Sequence, residues 1–505
     1  MTFLLGASLL ISLAIGGMLV SLLVSHRMRS AGEIAFLLIA GGGLGLGVSS
    51  CVYFVCLAAG MAGYAWVIDL ILCLILGVLC FARFRKGTRG GPPPLPKTQP
   101  FTGFQILLAS ILSLEIIASL VSFFVAFLKE PHGRWDAWLI WNMHARFLFR
   151  SSEEWRAVFA SGLDWSHWDY PLLLPLAIVR SWGYMGGESG NIPAVFAFVF
   201  TVLVVGLLLS SLSLLRGRTE GILAAMVLLG TPFFIMMGAS QFADVPFAFF
   251  ILITIVMLFL QSRSPENHAG PTILAGLAAG LCAWTKNEGL LFLLVATAGM
   301  AGSAAYAGGW KHSFKRTAWF LAGALPALLP VLYFKLRLSP VNDLVAGFSL
   351  AAASAKLLDW GRYAEIAKAF FITGISFTQG LIDVRVGMKL NPGAVNILLL
   401  AVYLMLTGIR IGEKDRAAFF QAAAVLLLMP VGYFFVYVMT PLDLYYHLAT
   451  SLNRLFLQLW PGAIFLFFMA AAAPGQASLP GDKTETVKSL QSRPKPAKGK
   501  NRYGR

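Results

Sequence analysis

The chain has 505 residues, of which 58% are hydrophobic and only 12% charged, with a formal net charge of +16 and a mean hydropathy of +0.76. Soluble domains carry about 25% charged residues, so this composition excludes a water-soluble globular body. The positive balance needs no nucleic-acid partner, because the Lys and Arg lie in short loops and a terminal tail, where they report topology and contact with anionic headgroups.

Apolar runs of about 18 to 25 residues are long enough to cross a hydrocarbon core of about 30 Å. They predict an all-α integral membrane protein with about thirteen transmembrane helices and interfacial helices on its outer face. Helices near 2–25, 33–58 and 64–83 come first, and the uncharged Met1–Val24 reads as a retained helix because it is too long for a signal-peptide core. The loop Arg83–Lys97 follows, basic and without an acid. After a helix near 104–128 comes a polar stretch to Tyr170, in which Asp136–Phe149 interleaves tryptophans with His144 and Arg146, as in a helix lying among headgroups. Pro171–Trp182 is apolar but short and holds Pro175 and Arg180, so it reads as an interfacial or re-entrant helix. Further helices are expected near 191–215, 220–240, 245–261, 271–285, 288–309, 317–336, 394–411, 416–439 and 455–473, with a basic, disordered tail from Lys483.

Counting helices puts the basic loops on one side, which the positive-inside rule makes the cytoplasm. The other side receives Glu130–Tyr170, Gln241–Pro246, Lys286–Glu288, Ser339–Gly393 and Thr440–Arg454, which hold most of the chemically useful side chains. The five cysteines, Cys51, Cys56, Cys73, Cys80 and Cys282, lie in apolar segments without a CxxC pair, against a disulfide framework or zinc site. No Walker loop, no GxGxxG after a strand and no HExxH occurs, and no internal repeat is visible.

Four clusters on that side could do chemistry. Asp136 sits close after the fourth helix, where a partly desolvated carboxylate suits a general base; as an N-cap before Ala137 it would only satisfy free amides. Asp164, His167 and Asp169 could hold a divalent metal or, with Trp168 and Tyr170, a sugar; alternatively the loop caps the helix at Pro171. Asp244 has an equally complete explanation as an N-cap with Pro246 two residues on. Lys286, Arg146, His447 and Arg454 are candidates for holding a lipid phosphate, although Arg454 could instead meet an Asp in a salt bridge. With no cytoplasmic domain to bind a nucleotide, any sugar donor reaching these residues is expected to be lipid-borne.

Trp135-Asp136-Ala137-Trp138, His167-Trp168-Asp169-Tyr170-Pro171-Leu172, Gln241–Pro246 and Trp284-Thr285-Lys286-Asn287-Glu288-Gly289 together resemble the GT-C superfamily of membrane glycosyltransferases, in particular its protein-mannosyltransferase and aminoarabinose-transferase group. The resemblance implies an inverting transferase that uses a polyprenyl-phosphate sugar and a lipid, glycan or protein acceptor at the periplasmic face of a bacterial inner membrane. It implies Asp136 as the base, His167 and Asp169 (with Asp164 and Asp244) as a second acidic site for acceptor or divalent metal, and Trp135, Trp138, Trp168 and Tyr170 as sugar-stacking groups. The chain then divides into three extra helices and a basic loop (1–103), a GT-C-like core (104–336) with its outer loop 129–170, an outer lid (337–393), C-terminal helices (394–473) and the tail (474–505). It departs from the family in those three leading helices and in lacking Asp-Glu or Asp-x-Asp pairs. A flippase for an anionic lipid-linked sugar is the alternative, weakened by the scarcity of mid-membrane ionisable residues other than Glu115.

Overall fold

The computed structural model describes residues 2–24, 30–87, 100–160, 166–264, 268–342, 349–376 and 392–472. Among these the fold is all helical. In chain order the helices are α1 (Thr2–Leu23), α2 (Ala31–Ala58), α3 (Ala65–Gly87), α4 (Gly103–Lys129), α5 (Asn142–Arg150), α6 (Leu173–Met185), α7 (Ile192–Leu215), α8 (Arg218–Leu229), α9 (Pro232–Ala239), α10 (Asp244–Arg263), α11 (Ala269–Thr285), α12 (Glu288–Arg337), α13 (Leu350–Leu357), α14 (Trp360–Ser376), α15 (Pro392–Thr407), α16 (Arg416–Met439) and α17 (Leu444–Ala470).

Among the described residues nine helices are long and apolar enough to cross a membrane, or ten if α8 and α9 form one broken span. The expected count of thirteen differs for identifiable reasons. The run near 220–240 bends by 67° between α8 and α9, where Pro232 lacks the amide proton a continuous helix needs. α11 and α15 are apolar but short. The two helices expected near 288–309 and 317–336 are joined as α12, broken at Gly308 and Gly309. Gly309 has φ 71°, a left-handed conformation that a side chain disfavours. Ser313 donates to the carbonyl of Ala301 at 2.8 Å, whereas twelve residues of straight helix would put them about 18 Å apart. The chain therefore folds back there, and α12 is a hairpin of two legs.

α10 is the centre of the bundle, buried along almost its whole length. α7, α11, α16 and α17 pack around it. α3 and α4 lie at the periphery and present Leu74, Phe81, Leu114 and Phe124 outward, as lipid-facing helices do. Close backbone approach tightens two seams: a Cβ on Gly45 of α2 would fall on the Ser12 carbonyl of α1, and one on Gly276 of α11 on the Phe320 carbonyl of α12.

α6 is buried from Leu173 to Trp182. At about 20 Å it is too short to span, and its surroundings are protein rather than headgroups. Arg180 explains that burial, because it meets Asp69 of α3 at 2.8 Å and donates to the hydroxyls of Ser8 and Ser12 on α1. The last helix begins at Leu444, not near 455, so His447 and Arg454 are both helical. In the 337–393 segment, Lys356 and Arg362 donate to main-chain carbonyls between Tyr437 and Thr440, tying α13 and α14 to the end of α16.

Candidate functional site

The segment after α4 is placed by two unusual backbone positions. Gly133 has φ 74°, and a Cβ there would come within 2.6 Å of Ala137 Cβ and the Ser240 carbonyl. Gln241 also has positive φ, 61°, without being glycine. Its side chain accounts for that strained conformation: Nε2 donates to Pro131 O at 2.9 Å and Oε1 accepts from Asn142 Nδ2 at 2.9 Å, while Asn142 also donates to His132 O. Gln241 therefore fastens the loop that carries Asp136 to the turn that carries Asp244.

Neither aspartate caps its helix through its side chain. Both meet Arg454. Its Nη1 lies 2.7 Å from Asp136 Oδ2 and its Nη2 2.8 Å from Asp244 Oδ2, with Nε also on Asp244. Asp244 Oδ1 accepts from Lys286 Nζ at 3.0 Å and from Gln458 Nε2 at 2.6 Å. Lys286 also lies 3.2 Å from Glu288. Burial alone would lower the Lys286 ammonium's pKa, but Asp244 and Glu288 outweigh it and hold the pKa above its ordinary value. Arg454 stacks over Phe242, its guanidinium carbon 4.7 Å from the ring centroid. The result is one ion network drawn from α10, α12, α17, the α11–α12 turn and the Asp136 loop.

Exposure grades this network. The Asp244 side chain is 0% exposed, Lys286 4%, Arg454 18% and Asp136 20%. Asp244 is thus a buried anchor and Asp136 a rim group that a ligand can touch. Glu288, named in the sequence only as part of its turn and motif and given no role, is 22% exposed, and its Oε2 is buried without a hydrogen-bond partner. Tyr170 joins the group electrostatically: burial first, then Glu288, Asp169 and Asp136 raise its phenol's pKa well above its usual value, with Arg454 opposing.

Asp169 forms an adjoining group. It accepts from Asn287 Nδ2 at 2.7 Å and from Asn342, and Lys335 of α12 donates to its carbonyl. Lys335 and Gln458 were not anticipated, and Asn287 entered only as part of a motif. A lysine and a glutamine inside apolar helices were the available signals.

Other expected site residues are engaged elsewhere. Arg146 pairs with Glu188 at 3.0 Å beside Arg150, and although burial pushes the Glu188 carboxyl's pKa up, the two arginines bring it below its usual value. His447 Nδ1 shares a hydrogen bond with Thr440 Oγ1. His167 lies edge-on to the Tyr170 ring, 5.5 Å between centroids. Trp168 is buried with its face stacked on His144 at 3.8 Å, which leaves that face closed to a sugar. Trp135 and Trp138 are exposed beside Asp136, 5.7 Å apart. Asp164 lies outside the described residues. Among the described residues no three His, Cys, Asp or Glu side chains assemble as a metal-binding group.

An apolar recess of about 320 Å³ lies between α2, α3, α11 and α12, lined by residues including Val48, Cys51, Ile68, Leu277 and Pro326. No charged side chain lines it.

No protein-family model matches the chain, and no curated protein or solved structure matches it either.

Proposed function

We propose that the protein is an inverting glycosyltransferase of the GT-C type, moving a sugar from a polyprenyl-phosphate donor to a lipid, glycan or protein acceptor at the periplasmic face of a bacterial inner membrane. The observation that carries this reading is the graded ion network: a partly exposed carboxylate, Asp136, held at 2.7 Å by an arginine that is itself fixed to a fully buried aspartate. Such a group is positioned rather than free, as a base must be to act on one hydroxyl among many. The motif order that resembles the GT-C enzymes supports the same assignment.

In the proposed reaction Asp136 takes the proton from an acceptor hydroxyl. The oxygen's electron pair forms a bond to the anomeric carbon, and the carbon–oxygen bond to the lipid phosphate breaks with its pair leaving on the phosphate. A single displacement inverts the anomeric configuration. When Asp136 gains the proton its charge is lost, and Arg454 Nη1 is freed to donate to the phosphate as its charge develops. Lys286, enclosed by Asp244 and Glu288, holds the anchor in place, and Trp135 and Trp138 offer exposed rings to the sugar.

Asp136→Asn keeps size and removes basicity, so transfer falls by about 10²–10⁴-fold. The measurement is transfer of label from a panel of radiolabelled polyprenyl-phosphate sugars to envelope lipids by purified protein in bilayers. Undiminished transfer by Asp136→Asn overturns the role of the base. Donor that crosses the bilayer chemically unchanged, with either protein, replaces the transferase by a flippase.

A further inference from the structure

The hairpin turn of α12 carries a second polar group that the ion network does not use. Just past the break, the second leg opens with Lys311, His312, Lys315 and Arg316 in six residues. Among the described residues the charged groups acting on His312 are Arg316, Lys315 and His268 at the start of α11, all basic. Among the described residues no carboxylate pairs with Lys311, Lys315 or Arg316, although Arg263 and Arg180 each hold one and Arg454 holds two. Arg316 is half-buried and its Nε is enclosed without an acceptor. The next residue, Thr317, has a hydroxyl that is likewise buried and unpartnered. Two adjacent enclosed donors among unopposed cations lack an anion.

The surroundings indicate which anion. Tyr306 is 97% exposed, Trp310 79% and Phe314 69%, an aromatic set typical of the depth where hydrocarbon meets headgroups. The first leg of α12 runs about twenty residues from Glu288 to the break, so the cluster lies about 30 Å from Lys286, a full hydrocarbon thickness away. A phosphodiester there belongs to the opposite leaflet.

We propose that Arg316, Thr317 and Lys315, with His312 and His268 adding field, form a binding site for the phosphate of an anionic phospholipid, seated between α11 and the second leg of α12. The guanidinium and the threonine hydroxyl donate to phosphate oxygens, the ammonium supplies unpaired charge, and Trp310 and Phe314 pack against the glycerol and upper acyl chains. This site is independent of the transferase reading.

Native mass spectrometry of the purified full chain titrated with phosphatidylglycerol or phosphatidylcholine tests it. Wild type is expected to retain phosphatidylglycerol about tenfold more tightly than Arg316→Gln, a single charge-assisted contact, with partial recovery in Arg316→Lys. Thr317→Val, which preserves shape, gives a smaller loss and serves if Arg316→Gln does not fold. Equal retention of the two lipids, or unchanged retention in both Arg316→Gln and Thr317→Val, overturns the site. Displacement of phosphatidylglycerol by millimolar inorganic phosphate assigns the pocket to free phosphate and overturns the lipid.

Discussion

His144 is a structural residue of the interior rather than of the headgroup region. Its ring lies flat on Trp168, its Nε2 shares a hydrogen bond with Ser166 O at 2.9 Å, and its Nδ1 is enclosed without a partner. Burial pushes its pKa from 6.5 down to about 3, the Ser166 carbonyl opposing and His167 adding to the fall. The imidazole is therefore neutral in the fold at any physiological pH. Because the unfolded chain binds the proton more readily, this residue's contribution to stability is full above about pH 6.5 and is lost progressively as pH falls toward 3. His144→Phe keeps the stack and removes the titration. The fall in melting temperature between pH 7 and pH 4.5 should be smaller in that variant than in wild type, and an equal fall would show that His144 is not among the groups responsible. Asp136 and Asp244 show the converse. Each had a complete local explanation as a cap, and each proves to be spoken for by Arg454, 210 residues from Asp244 in sequence. The sequence allowed Arg454 a salt bridge to an Asp, and that is what forms, but no spacing rule reaches far enough to say which aspartates it meets or that two share it.

At the level of elements, apolar runs located uniformly apolar helices well whether they face lipid or protein: α10, buried almost throughout, was bounded to within two residues, whereas the polar first half of α17 hid its start. α17 carries His447, Ser451, Asn453, Arg454 and Gln458 because its first half faces a polar protein interior. Its start was accordingly placed about ten residues late. The hairpin in α12 was legible as two segments because its basic turn interrupts the apolar run. The bend between α8 and α9 was not, because Thr231-Pro232 sits inside an unbroken apolar stretch. α3 is tied to α6 by the bridge from Asp69 to Arg180, with both side chains no more than 2% exposed and Tyr184 donating to the same carboxylate at 2.7 Å. Removing one partner of such a pair leaves a bare buried charge and costs about 3–5 kcal/mol. Asp69→Ala should lower the melting temperature in detergent sharply, and the double change Asp69→Leu with Arg180→Met should restore most of it. Equal losses in the single and double variants would mean that packing, not charge, sets the cost.

On the scale of the whole molecule, the fold separates two polar regions by the thickness of the apolar bundle: the Asp136 network at one end, the Arg316 cluster at the other. The positive-inside argument puts the first outside. Lys129 follows α4 on the network side and Lys414 precedes α16 on the other, both exposed. In spheroplasts, a membrane-impermeant maleimide should label Lys129→Cys directly and Lys414→Cys only after permeabilisation; the reverse pattern would invert the protein and move its site to the cytoplasm. Within the Asp136 network, the bridge from Arg454 to Asp136 has a thermodynamic corollary. An anion that draws Arg454 away releases Asp136, and a partner that occupies Asp136 releases Arg454. Each therefore raises the affinity of the other by the same factor, by linkage alone. Two ligands that never touch would bind cooperatively, because one ion pair cannot be broken twice.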